Sequence, residues 1–231
     1  MSQELVPRLR HLDACAVSDA LDRLGIDQQV ASGLAHQSTH TKLAGRVLTY
    51  RLVPAGQAPK SGGPVRHLGT RAIELAAAGE VIVVEQRTGI GAGCWGGILS
   101  LAAKVKGIAG VVADGPVRDI DEARAYELPI YCRSLTPRTA RGRVEEIEVN
   151  GPVRVGGVTV NPGDLVIADG SGVVFIPAAR AAEVIAAAES IAGREAGMAK
   201  DLLAGRPVSE VMGRDYEFML RPDAAQGDSH D

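Results

Sequence analysis

Between Glu80 and Ala113 the chain changes its apolar period twice, and this limits its fold more than any other feature. Glu80 to Glu85 (EVIVVE) reads as a buried strand. Ile98, Leu101, Ala102 and Val105 then recur at helical intervals, Gly107 stops the helix, and Ile108 to Ala113 reads as a second short buried strand. Strand, helix and strand in that order require parallel pairing, because the helix must carry the chain back before the second strand can begin. Arg118 and Asp119 then stand just beyond the C-terminal end of the second strand, where sheets of this kind hold their ligands. Taken alone, a guanidinium next to a carboxylate is better explained as a plain salt bridge, and it is the surroundings that favour a site.

The flanking sequence extends the pattern. Val17, Ala20, Leu21 and Leu24 define an amphipathic helix with Asp13 as N-cap and Gly25 as its stop. Gly45 to Val53 reads as a strand, Thr70 to Ala78 as a helix, Ile120 to Glu127 as a short helix and Pro129 to Cys132 as another strand. From Arg143 the texture becomes rich in Val, Ile and the turn signals Asn-Gly, Pro-Gly-Asp and Asp-Gly, which predicts a β meander. An Ala-rich helix follows over about 178–204, with an inner stripe of Val184, Ala188, Ile191, Glu195, Met198 and Leu202. The expected class is therefore α/β, a mixed sheet with flanking helices and a long C-terminal helix. Residues 1–222 read as one domain, and 223–231 as a disordered polar tail.

Composition excludes several functions. Lys and Arg number 25 against 28 Asp and Glu, a formal charge of −3, so no basic face is available for nucleic acid. Aromatic residues make up 3%, too few for a base-stacking platform. Three cysteines without a C-x-x-C pair, no secretory h-region and no apolar run of membrane-spanning length lead us to expect a cytoplasmic protein with no membrane association. The five histidines show no zinc-binding spacing.

Gly91-Ala-Gly93-Cys-Trp-Gly96 matches G-x-G-x-x-G, with Asp114 at the end of the next strand. A polar segment, Gln86 to Ile90, separates it from the preceding strand, and Trp95 sits inside the turn, so nucleotide binding is disfavoured. What remains is a glycine loop feeding a helix N-terminus, whose unpaired N–H groups suit a carboxylate. With Arg118 it would form a pocket for a small anion, and Asp119 there would require a cation such as Mg²⁺ between itself and the substrate. Cys94 at the same helix start reads as a packing residue rather than a nucleophile, since no base is paired with it. Glu195, a lone carboxylate on an apolar stripe, needs a partner, which an assembly interface or a metal-water shell would supply.

Gly97, twenty intervening residues, Arg118-Asp119 and then Glu122, joined by Pro162-Gly163-Asp164 and Asp169-Gly170-Ser-Gly172-Val-Val, resemble the RraA-like family over most of the chain. That family includes the regulator of ribonuclease activity and the class II 4-hydroxy-4-methyl-2-oxoglutarate aldolases. The resemblance implies a swivelling β/β/α domain assembled as a homotrimer or hexamer, with the site at a subunit boundary. It implies that Arg118 and Asp119 are the catalytic pair, Arg118 holding a 2-oxo acid and Asp119 directly binding Mg²⁺ or Mn²⁺. Gly96, Gly97, Ile98 and Leu99 would line the substrate pocket, Glu122 would stand one layer behind the metal ligand, and Glu195 of a neighbouring subunit would reach the metal through water. The chain departs from the family's aldolases at Gly97, where they carry Asp or Glu to organise a water for proton transfer.

The expected function is that of a divalent-metal-dependent carbon-carbon lyase acting on a 2-oxo acid through a pyruvate-type enolate, by aldol cleavage or oxaloacetate-like decarboxylation. Two rivals stand beside it. One is a non-catalytic regulator that binds a ribonuclease or another macromolecule, and the other is a hydroxy-acid dehydratase or isomerase built on the same site.

Overall fold

A computed structural model describes residues 2–58 and 67–213. The expected disordered tail lies outside the described residues. The architecture is the expected mixed α/β one, and its centre is the twelve-residue strand β3 (Leu43–Pro54), which follows the short strands β1 (Val30–Ala31) and β2 (Ala35–His36). Strands β4 (Val81–Glu85), β5 (Gly110–Val117) and β6 (Ile130–Leu135) extend from it in parallel, as the alternation of elements predicts.

The later strands correct the expected meander. β7 (Val144–Val149) returns antiparallel to the second half of β3, whereas β10 (Leu165–Asp169) pairs antiparallel with its first four residues. Between them, β8 (Val153–Val155) and β9 (Val158–Val160) form a separate hairpin, and β11 (Gly172–Ile176) closes a hairpin on β10. Turn residues in the sequence mark each reversal, but the partner of each strand depends on distant β3, which local pattern does not specify.

Strand parity separates the cores. Leu48, Tyr50, Ile82, Val84, Val111 and Ala113 pack under α3 (Thr70–Leu75), α4 (Gly97–Lys106) and α5 (Ile120–Ala125). Their neighbours Val47, Val81, Val83 and Val112 point the other way, into a core shared with the β8–β9 hairpin, Val173 and Phe175. Burial on both faces explains why EVIVVE shows no polar alternation. A third core joins Leu165, Ile167, Val174 and Ile176 to α1 (Ser2–Leu9), α2 (Ala14–Arg23) and α6 (Ala181–Leu203).

Asp13 caps α2 as expected, its Oδ1 accepting from the Ala16 amide at 2.7 Å. Helix α1 was not expected. It is short and charged and contains Pro7, and Val6 and Leu9 hold it in place by burial against α6 and the sheet. The first half of the α6 stripe, Val184, Ala188 and Ile191, is buried as expected, but Glu195 and Leu202 are exposed. The helix outruns the body it packs on.

Both distal motifs prove to be structural. In Pro162-Gly163-Asp164, the buried Asp164 accepts from the amides of Asn161 at 2.8 Å and Ala178 at 2.9 Å, fixing a turn and the approach to α6 together. Asp169 accepts from Ala14 at 2.8 Å and Ser171 at 2.8 Å, tying the β10–β11 turn to the start of α2. Asp164→Ala would leave two backbone donors unpaired, so we expect a loss of about 2–4 kcal/mol. Urea unfolding with an unchanged m-value would register it, and a midpoint equal to the parent's would refute it.

Candidate functional site

β5 runs four residues further than the sequence suggests, to Val117, so Arg118 follows the sheet without a spacer. The chain then turns through Asp119, whose φ of 56° and ψ of 40° lie in the left-handed region that side chains other than Gly, Asn and Asp rarely occupy. This kink points the carboxylate back at the N-terminus of α4. Asp119 Oδ2 accepts from the Gly97 amide at 3.2 Å and from Arg118 Nε at 3.0 Å. Its Oδ1 has no protein partner among the described residues. Both side chains are about one-third exposed, 35% for Arg118 and 34% for Asp119, so the pair is open to solvent and is not part of the core.

The glycines of the decoy motif now have a physical reason. A Cβ on Gly93 would lie 3.0 Å from Arg118 Cγ, and one on Gly96 would lie 3.2 Å from the same atom. These two positions let the arginine stem lie across the loop. Trp95 is buried, donating from Nε1 to Ser100 Oγ at 2.9 Å, and so anchors the turn from below. Several of the loop's own amides are engaged, and the unpaired ones lie at the helix start, as expected. Gly93 donates to the Arg138 carbonyl at 3.0 Å and Cys94 to the Pro116 carbonyl at 2.8 Å, and Gly97 is held by Asp119. Among the first α4 residues, Ile98 and Leu99 keep amides without a protein partner, because Ser100 is the first to reach back, to the Gly96 carbonyl at 2.9 Å.

Gly97 holds the main surprise. An ideal Cβ there would fall 1.8 Å from Glu122 Oε2 and 2.5 Å from its Cδ. The Glu122 carboxylate, brought in by the first turn of α5, thus fills the volume that an acidic side chain at 97 would enter. Glu122 is exposed, with its carboxylate against the Gly97 backbone.

Other candidates fall elsewhere. Asp114 is buried and structural, accepting from Gly156 at 2.8 Å and pairing with Arg133 Nε at 2.5 Å. Cys94 is fully buried, and burial followed by the neighbouring Cys132 pushes its thiol far above the usual range, as befits a packing residue. Glu195 lies on the exposed end of α6, and its charged neighbours within the chain are Asp13 and Asp19, not the Arg118–Asp119 pair. The apolar spacing that identifies α4 does not face the core. Ile98 (78% exposed), Leu101 (40%) and Val105 (81%) point outward, while Leu99, Ser100 and Ala103 are buried.

The Aldolase/RraA model of RraA-like proteins matches residues 14–175. The chain belongs to the RraA-like family. Streptomyces coelicolor RraAS2, described as an unusual member of the RNase ES inhibitor RraA protein family, superposes with a TM-score of 0.72 at 30% identity, covering 83% of this chain and 93% of that one. A Thermus thermophilus protein named 4-hydroxy-4-methyl-2-oxoglutarate aldolase is 32% identical over 59% of this chain and 76% of its own length. Legionella pneumophila protein DlpA is 30% identical over 78% of this chain, which spans only 29% of that longer protein. Among the described residues no helix is long and apolar enough to cross a membrane.

Burial first, then the carboxylates of Asp13 and Asp19, raise the Glu195 pKa above its ordinary value. The folded chain therefore keeps this proton to higher pH than the unfolded chain does. Stability falls as pH rises through the range just above the ordinary glutamate pKa and remains lower at neutrality. Glu195→Gln should raise the thermal midpoint at pH 7 in chelator by about 1–2 °C, with no gain at pH 4. A fall at pH 7 would show that the carboxylate has a favourable partner.

Proposed function

We propose that the chain is a divalent-metal-dependent carbon-carbon lyase that releases pyruvate from a 2-oxo acid, by aldol cleavage or by decarboxylation of an oxaloacetate-like substrate. The observation that carries this reading is the convergence of Arg118, Asp119 and Glu122 on the open N-terminus of α4. The family relationship and the relative named as an aldolase support it.

The donors present suit a hard dication. They are carboxylate oxygens only, Asp119 Oδ1 is unengaged, and among the described residues no three His, Cys, Asp or Glu side chains cluster tightly enough to enclose a metal. One or two carboxylates with water completing the shell is the mode of Mg²⁺ or Mn²⁺. Asp119 would hold the ion, which supplies a Lewis acid toward the 2-oxo group when bound. A water-mediated contribution from Glu195 of a neighbouring subunit fits its exposed place on α6.

The remaining work falls to the chain. The Arg118 guanidinium binds the substrate carboxylate in a forked contact, and the Ile98 and Leu99 amides orient it. The C3–C4 bond then breaks, its electron pair passing into the enolate of pyruvate; in aldol cleavage the C4 hydroxyl loses its proton to a base as the departing carbonyl forms, in decarboxylation carbon dioxide leaves, and in both a proton is then delivered to C3. In this family's aldolases the acidic residue at position 97 organises that transfer. Here Glu122 Oε2 lies where a side chain at 97 would begin, and it would move the proton.

Coupled detection of pyruvate from oxaloacetate and from 4-hydroxy-4-methyl-2-oxoglutarate tests the reading. Asp119→Asn preserves the left-handed backbone, which Asn tolerates, so its expected loss of about 100-fold or more reports on charge. Turnover at the parent rate in chelator would refute the metal requirement. Glu122→Gln should lower enolate proton exchange by about 100-fold. Gly97→Asp must move the flexible Glu122 carboxylate out of its present place, so the single variant should fall below the parent, whereas Gly97→Asp with Glu122→Ala should recover part of the activity. A single Gly97→Asp variant more active than the parent would show that the two carboxylates do not share one place.

A second reading rests on the outward stripe of Ile98, Leu101 and Val105. Beside the cleft, it is suited to a protein contact, either with another copy in a homotrimer or hexamer or with a ribonuclease in the regulator role. Light scattering of the isolated chain distinguishes the two, with a trimer or hexamer expected.

A further inference from the structure

A cavity of about 370 Å³ lies at the N-terminal ends of the parallel strands, where β3, β5 and β6 begin. Its apolar wall is Leu43 and Ala44 at the start of β3, Ala109 just before β5 and Pro129 just before β6. Arg118 follows the other end of β5, so eight strand residues, about 25 Å, separate this cavity from the Arg118–Asp119 pair. It is a different place with its own chemistry.

Two cations line the cavity, and contacts within the fold place both charged heads. Arg10 stands at the end of α1, flanked by the buried Leu9 and held by its amide, which donates to the Val6 carbonyl at 3.0 Å. An ideal Cβ on Gly79 would lie 3.6 Å from Arg10 Nη2, so the guanidinium rests on the turn that opens β4. Its side chain has no hydrogen bond or ion pair among the described residues. Glu80 beside that turn is already occupied, accepting from Arg46 Nη1 at 2.8 Å and from the Ala77 amide at 2.9 Å. Lys42 Nζ donates to the Leu12 carbonyl, two residues beyond Arg10, and keeps two further donors. Glu127 completes the lining and leaves it with a net charge of +1.

An apolar wall beside an unengaged guanidinium has the composition of a small-molecule pocket, in which a few polar groups fix one end of the ligand and apolar surface takes the rest. A lining of charge +1 suits a single carboxylate better than a phosphate dianion. We propose that this cavity is a second ligand site and that it takes a small aliphatic monocarboxylate. The carboxylate forks onto Arg10 with Lys42 beside it, and the hydrocarbon lies against Leu43, Ala44, Ala109 and Pro129. The site stands independently of the lyase reading.

Calorimetric titration of the full chain in chelator with 3-methylbutanoate tests it. Saturable binding is expected, with the neutral analogue 3-methylbutan-1-ol and inorganic phosphate each tenfold weaker or more. Arg10→Ala should weaken binding of the acid tenfold or more, the scale of one charge-assisted contact, and Arg10→Lys should recover part of it. Because the Arg10 side chain has no polar partner, the thermal midpoint of Arg10→Ala should stay within about 2 °C of the parent's, which separates lost binding from lost folding. Arg118→Ala should leave the affinity for the acid within twofold. Undetectable binding by the parent, equal binding of acid and alcohol, or phosphate bound more tightly than the acid would overturn the proposal. Binding that survives Arg10→Ala would overturn it too, and its loss in Arg118→Ala would then place the acid at the Arg118–Asp119 pair.

Discussion

The site depends on the absence of Cβ atoms at Gly93, Gly96 and Gly97. Side chains at the first two would push against the Arg118 stem, and one at the third would occupy the Glu122 carboxylate's place. Close approach of a strand end to a helix start is what these glycines provide. With the gap narrowed, one oxygen of Asp119 can accept from both a helix amide and an arginine, joining β5 to α4 through a single atom. A glycine pattern that resembles a phosphate loop in sequence is here a bed for an arginine.

The same packing explains how an acidic function can change its place in the sequence and keep its place in space. Position 97 lies on the first turn of α4, and Glu122 lies on the first turn of α5. Both turns face one cleft, so a carboxylate can enter it from either. A side chain at 97 would displace the Glu122 carboxylate from its present place, a shift that its flexible, exposed side chain can make.

Much of the fold was legible because its elements are strongly periodic. The βαβ order, the Asp13 cap, the Gly107 stop and the long terminal helix all follow from local pattern. What could not be read is non-local. The pairing of β7 and β10 with opposite halves of β3 depends on contacts about a hundred residues apart, and α1 is held by burial, not propensity. At the site, Arg118 and Asp119 could be placed because a strand end predicts them. Glu122's approach to Gly97 could not, because it depends on how α5 docks against α4. The spacing of Ile98, Leu101 and Val105 correctly indicated a helix but not its orientation, since period alone does not distinguish a core-facing stripe from an interface.

That outward stripe links assembly to chemistry. Ile98 has two distinct exposures: its amide opens toward the cleft, and its side chain heads an apolar row along α4. A partner that buries Ile98, Leu101 and Val105 must also wall one side of the cleft, excluding water and strengthening every charge interaction within it. In an oligomer of this chain, the subunit contact would then be part of the catalytic environment. A different macromolecule seated on the same row would displace that contact. Catalysis by an assembled oligomer and capture of a ribonuclease would therefore be alternative uses of one surface, competing through a single helix face.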